Sequence, residues 1–365
     1  MSSRGDTFEG PRFGAAPSAS AQRAGGASVC DATATCGEPS AADCAAAAAH
    51  DEATARGEAS VCGEAATCDG PSADGVLRGD VFWMDGGLRL HGEVWKPALS
   101  AARRVAPLLL VHGFAQSARS WAATAERLAA SGRVTYAIDL TGHGQSDRPC
   151  DEQAYELGEQ GRTLLGCARR VARAEGARPT IVGYSMGGRV ALAALVDGPE
   201  AFSEVAGALV LESCGLGPAD EAERARAAQA DARRAEEMRA QGLEAFMEAW
   251  GSQPLFASQV ALPSDVRGRV RAERLANDVE ALVRTFERAG QHAMPARGAV
   301  CAALAGYVER GGRVRYVAGA LDEKYAALAE VLPSCVEARI VECAGHNVHL
   351  ERPDAYAQLL CDFIA

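Results

Sequence analysis

No stretch of this 365-residue chain is apolar for long enough to cross a bilayer, so a membrane span is not expected. The N-terminus lacks the apolar core of a secretory signal, which points to the cytoplasm. Excess positive charge is missing too. The net charge of −11 argues against a general nucleic-acid binder. The 12 cysteines show no spacing that would frame a small disulfide scaffold, and reduced thiols are expected in a chain of this size.

Large apolar side chains are scarce over residues 1–75, which are mostly Ala, Ser, Gly, Pro and Thr. Such a segment cannot bury enough surface to offset its chain entropy and is expected to be disordered. Ser28-Val29-Cys30, Thr35-Cys36 and Pro39-Ser40-Ala41 recur 32 residues later as Ser60-Val61-Cys62, Thr67-Cys68 and Pro71-Ser72-Ala73. Two copies without a hydrophobic face do not make a solenoid. The spacing of Cys30/Cys36 and Cys62/Cys68 is not that of a common zinc site, and no metal is expected. This tail holds four Arg and no Lys against eleven acidic residues, hence −7 of the net charge. The folded part, residues 76–365, is left near −4.

What is present begins with Thr180-Ile181-Val182, then Gly183-Tyr184-Ser185-Met186-Gly187, then a run of helical composition from Gly188 to Leu195. A strand, a tight G-x-S-x-G turn and a helix are the setting of a nucleophile elbow. The glycines allow the sharp turn that presents the Ser185 hydroxyl at a strand tip. Other apolar runs read as strands: 81–95 as a hairpin turning at Gly86-Gly87, then 108–111, 134–140, 208–213, 314–319 and 338–342. Helical stretches alternate with them, which predicts a doubly wound, mostly parallel α/β sheet. From about Gly215 to residue 295 no strand candidate appears. Ala219–Arg239, Leu243–Trp250 and Arg267–Ala289 read as helices. A helical insertion there sits at the carboxyl ends of the strands, where ligands bind, and is expected to be a lid.

Asp322 and His346 each follow a predicted strand, so Ser185, Asp322 and His346 occur in the order and placement of a hydrolase triad. His112, after strand 108–111, is expected to be structural, as are His143 and Asp147 in the following loop. The backbone N–H groups of Phe114 and Met186 are the candidate oxyanion hole. Such parts serve an esterase, a lipase, a C–C hydrolase or a lyase equally well. Arg189 lies one helical turn after Ser185 and suggests an anionic substrate. Arg224, Arg226 and Arg274 are further candidates from the insertion, and Trp250 suits core or pocket equally.

Several stretches resemble one family. They are Val111-His112-Gly113-Phe114, Asp139-Leu140-x-Gly142-His143-Gly144-x-Ser146-Asp147 and Gly183-Tyr184-Ser185-Met186-Gly187-Gly188-Arg189. More particular are Trp250-x-x-Gln253-Pro254-Leu255-Phe256-Ala257-Ser258, Arg274-Leu275-Ala276-Asn277, Asp322-x-Lys324-Tyr325 and Gly345-His346-Asn347-Val348-His349. Together they are similar to the 2-succinyl-6-hydroxy-2,4-cyclohexadiene-1-carboxylate synthases, α/β-hydrolase-fold lyases of menaquinone biosynthesis. The resemblance covers about residues 80–365. It implies elimination of pyruvate from a small-molecule enolpyruvyl tricarboxylate, without a cofactor. Ser185, backed by His346 and Asp322, would abstract a ring proton. Tyr184 and Trp250 would line the pocket, while Arg189 and Arg274 hold carboxylates.

The chain departs from that family twice. The family's lid arginine falls on Ala227, so that Arg226 or Arg224 would have to stand in. His292-Ala293-Met294-Pro295 replaces the usual Gly-x-Gln-Pro.

Overall fold

The protein is described here from a computed structural model, in which residues 75–98 and 105–364 are described. The tail expected to be disordered, residues 1–75, lies outside them apart from Gly75, and its duplicated segment lies outside them entirely.

Eight strands form one sheet in the order β1-β2-β4-β3-β5-β6-β7-β8. The hairpin expected at Gly86-Gly87 is present as β1 (Val76–Asp85) and β2 (Leu88–Pro97). It joins the sheet antiparallel to β4 (Thr135–Ile138). The remaining strands, β3 (Leu108–Val111), β5 (Thr180–Tyr184), β6 (Ala208–Glu212), β7 (Val314–Gly319) and β8 (Glu337–Val341), run parallel to their neighbours. All residues of β3, β5, β6 and β7 are buried, which is why they read as unbroken apolar runs rather than as alternations. The edge strand β8 is the exception, with Arg339 and Ile340 exposed.

Helices cover both faces. Helix α1 (Ala122–Ala130) and the C-terminal α12 (Pro353–Ile364) pack one side, through Leu128, Tyr356, Leu360 and Phe363. On the other side, α2 (Leu157–Glu175), α3 (Met186–Asp197), α4 (Pro199–Val205) and α9 (Arg297–Glu309) bury Leu164, Leu192, Phe202 and Leu304. The short α10 (Glu323–Ala326) and α11 (Val348–Glu351) follow β7 and β8.

Between β6 and β7 lies the helical insertion: α5 (Glu221–Gln241), α6 (Leu243–Gly251), α7 (Ser264–Leu275) and α8 (Val279–Ala289). It has an apolar core of its own, in which Met238, Phe246, Leu282 and Phe286 meet Ala115 of the loop after β3. The helical run expected from Arg267 to Ala289 is two helices. Asp278 accepts from the Ala281 N–H as the cap of α8, and Asn277 donates through Nδ2 to the Ala115 carbonyl. The two ends of the insertion meet. The Arg297 N–H donates to the Pro218 carbonyl at 2.9 Å, and a Cβ on Gly217 would lie 2.1 Å from the Pro295 carbonyl oxygen.

Candidate functional site

The site starts at the turn from β5 into α3. Ser185 adopts φ 49° and ψ −104°, a conformation that is rare and costly for a residue with a Cβ. The glycines around it are required by close approach. A Cβ on Gly183 would lie 2.6 Å from the Gly188 backbone, and one on Gly187 would lie 2.3 Å from the Val111 carbonyl oxygen. The Ser185 N–H donates to the Glu212 carbonyl, which fixes the turn against β6.

Strand ends bring the other two residues alongside. Asp322 is the N-cap of α10 and His346 follows β8. The His346 Nδ1 is 2.6 Å from Asp322 Oδ2, and its Nε2 is 3.2 Å from Ser185 Oγ. Both distances are within hydrogen-bond range. Asp322 and His346 are buried, with Tyr325, Tyr184 and Phe256 rings around the imidazole at 4.6, 5.4 and 5.9 Å. Glu351 ties down the loop that carries His346 by accepting from the Gly345 and Asn347 N–H groups. This chain of carboxylate, imidazole and hydroxyl can make Ser185 a base or a nucleophile. Met186 is the first residue of α3, so its N–H has no partner within the helix. Phe114 stands across the cavity, followed by Ala115 at φ 57°.

His112 is structural. Its Nε2 accepts from the Leu140 N–H at 3.0 Å, which leaves Nδ1–H to donate to the Gly113 carbonyl, and burial lowers its pKa. His143 donates through Nδ1 to the Thr141 carbonyl, and burial pushes its pKa down to about 3. Asp147 accepts from the Arg89 N–H. These residues fix loops, as the sequence suggests.

A cavity of about 440 Å³ opens over Ser185, lined by side chains of the sheet ends and the lid. Tyr184 and Trp250 are in its wall, and Trp250 packs against Phe114 and Phe286. Four cations line it: Arg189, Arg234, Arg274 and Lys324. Arg189 donates to the Ala289 carbonyl at 2.7 Å, and burial lowers its pKa from the ordinary arginine value. Arg274 stacks 5.0 Å from the Phe256 ring, has no carboxylate partner among the described residues, and is likewise lowered by burial. Arg234 sits 5.7 Å over Trp250 and pairs with the buried Asp231, which also receives His292 Nδ1. Among the described residues no group of three metal-ligating side chains occurs.

Two arginines expected at the cavity are elsewhere. Arg226 is exposed and outside the wall. Arg224 donates to the His292 and Met294 carbonyls and so holds the lid's end. The lid helix offers Arg234 instead, seven residues after Ala227 and therefore on the same helical face. That spacing was the available signal. His292, at the position where the family's motif differs, braces Asp231.

Residues 108–359 match the Alpha/beta hydrolase family. A Salmonella agona protein named 2-succinyl-6-hydroxy-2,4-cyclohexadiene-1-carboxylate synthase is 31% identical over 258 residues, covering 69% of this chain and 93% of that one. A Bacillus subtilis protein provisionally given the same name is 33% identical over 262 residues, covering 70% and 89%. The solved structure of MenH from S. aureus superposes with a TM-score of 0.64 at 25% identity, covering 74% and 97%. The chain belongs to the α/β-hydrolase family and, within it, to the 2-succinyl-6-hydroxy-2,4-cyclohexadiene-1-carboxylate synthases.

Proposed function

We propose that the chain is a carbon–oxygen lyase. It eliminates pyruvate from 2-succinyl-5-enolpyruvyl-6-hydroxy-3-cyclohexene-1-carboxylate to give 2-succinyl-6-hydroxy-2,4-cyclohexadiene-1-carboxylate, a step of menaquinone biosynthesis. The observation that carries the reading is the set of four cations, Arg189, Arg234, Arg274 and Lys324, around a Ser185–His346–Asp322 chain. A protein of net charge −11 gathers positive charge where three carboxylates would bind.

Asp322 holds the His346 ring so that Nε2 takes the Ser185 proton. The Ser185 oxygen then removes a ring proton. The resulting charge spreads onto the succinyl carbonyl, facing the Phe114 and Met186 N–H groups. The ring forms its second C=C bond as the C–O bond to the enolpyruvyl group breaks. The leaving enolate takes up a proton and departs as pyruvate. Arg189, Arg234 and Arg274 hold carboxylates, and Tyr184 and Trp250 wall the ring. Neither water nor a cofactor enters the balance.

Incubation with the enolpyruvyl tricarboxylate should release pyruvate and the conjugated diene in equal amounts, with no burst and no oxygen from labelled water in the ring product. A burst, or solvent oxygen in the product, would replace this reading by a carboxylesterase or C–C hydrolase, which would use the same Ser185 as a nucleophile. Against that rival stands Arg274, a cation largely withdrawn from water that forms no salt bridge among the described residues.

A further inference from the structure

The lid contains a second cavity, of about 280 Å³, between α6, the 254–261 turn and α7. Phe256 and Arg274 belong to its wall and also to the wall of the cavity over Ser185. They stand between the two cavities, with the Arg274 guanidinium 5.0 Å over the Phe256 ring and in no salt bridge among the described residues.

The wall has three chemical parts. Met247, Val270 and Leu275 give it an apolar side. Arg267 and Arg274 give it two guanidinium groups without a carboxylate partner among the described residues. The first is exposed and donates to the Val260 and Leu262 carbonyls. Gln259, only 9% exposed, has an Nε2 donor with no acceptor. A buried donor left unpaired costs free energy, as does withdrawing the Arg274 cation from water, so this part of the wall is short of oxygen acceptors. Two acids, Glu244 and Glu248, also line the wall but do not supply them. Glu244 is already paired with Arg271, and Glu248 is exposed, where solvent and salt screen it.

We infer that this lid cavity is a second binding site, for a short 2-oxo acid. Its carboxylate meets Arg267 and Arg274, its carbonyl oxygen meets the Gln259 amide, and its carbon end rests on the apolar side. Arg274, shared by both cavities, can turn a carboxylate from one to the other past Phe256. The site's use as a way out for the leaving acid rests on the lyase reading; the binding itself does not.

The test is a titration of the full chain with labelled pyruvate, followed by NMR and read as the number of sites, alongside the lyase assay. The wild type should show two sites. Val270→Trp fills the lid cavity from a position outside the wall of the other one and should leave a single site, with kcat/KM within about twofold of wild type. Arg267→Ala should weaken the lid site about tenfold through loss of one charge-assisted contact. One site in the wild type, or both variants titrating like the wild type, overturns the inference. If Val270→Trp does not fold, Arg267→Ala decides alone. Two sites without lyase turnover would remove the lyase reading and leave the lid site standing; turnover with one site would do the reverse.

Discussion

Glu273 of the lid helix α7 holds Ser117, three residues beyond Phe114, by accepting from its backbone N–H at 2.8 Å and its hydroxyl at 2.5 Å. The lid is thereby fastened to the loop that offers a candidate oxyanion donor, through a carboxyl largely removed from water.

That burial raises the Glu273 pKa from 4.5 to about 7. The folded chain keeps a proton there that the unfolded chain loses as pH rises above 4.5. Stability is therefore expected to fall as pH rises from 4.5 to 7, by up to about 3 kcal/mol, and to level off above. Glu273→Gln keeps an acceptor for Ser117 and removes the titration. Denaturant unfolding at pH 5 and pH 8 should show a smaller pH difference in the variant; an unchanged difference would mean Glu273 is not its source.

Ser185→Ala and His346→Ala should each lower kcat by on the order of 10³-fold or more. The double variant should be little worse than either, because a proton chain fails as a unit. Independent, multiplying losses in a steady-state assay would refute the coupling.

Arg189→Ala and Arg234→Ala should each lower kcat/KM by roughly thirtyfold to several thousandfold, since removing one partner of a desolvated charge pair costs about 2–5 kcal/mol. Arg226→Ala, on the solvent side of α5, should change it by less than about twofold. The reverse ranking would place substrate on the other face of the helix.

Gly187→Ala would drive a methyl group to 2.3 Å from the Val111 carbonyl oxygen, a backbone atom that cannot step aside. Loss of soluble protein, or several kcal/mol of stability, is expected. Gly198→Ala, whose nearest neighbour is 3.6 Å away, should be tolerated. Thermal melts of the pair give the comparison.

Helix α7 buries no residue fully and has Gly268 at its middle. Its amides should exchange with solvent faster than those of β3, which is buried throughout. Equal protection would argue against a lid that opens.

The sheet and the meeting of Ser185, Asp322 and His346 were legible in the sequence because strands buried on both faces leave unbroken apolar runs, and each of the three follows one. The lid was legible as helix but not as geometry. Helix α5 is polar nearly all round, so no apolar stripe chooses its inner face. Only Asp231, Ala235 and Met238 are buried, at helical spacing, and they turn Arg234 inward instead of Arg226. The stop after Leu275 escaped notice because Asn277 and Asp278 act through tertiary and capping bonds, and composition does not register those. The isolation of Glu273 from solvent depends on Ser117, more than 150 residues away in sequence.

The stitch between Gly217-Pro218 and Pro295-Arg297 has an evolutionary meaning. All three members of the Ser185–His346–Asp322 chain lie outside that closed loop, while Arg234, Trp250 and Arg274 lie inside it. Arg234, Trp250 and Arg274 can therefore be inherited, lost or exchanged together as one cassette of about 80 residues, while Arg189, Lys324 and Tyr184 stay with the sheet. A new substrate can be acquired by swapping the cassette while the reacting groups keep their register.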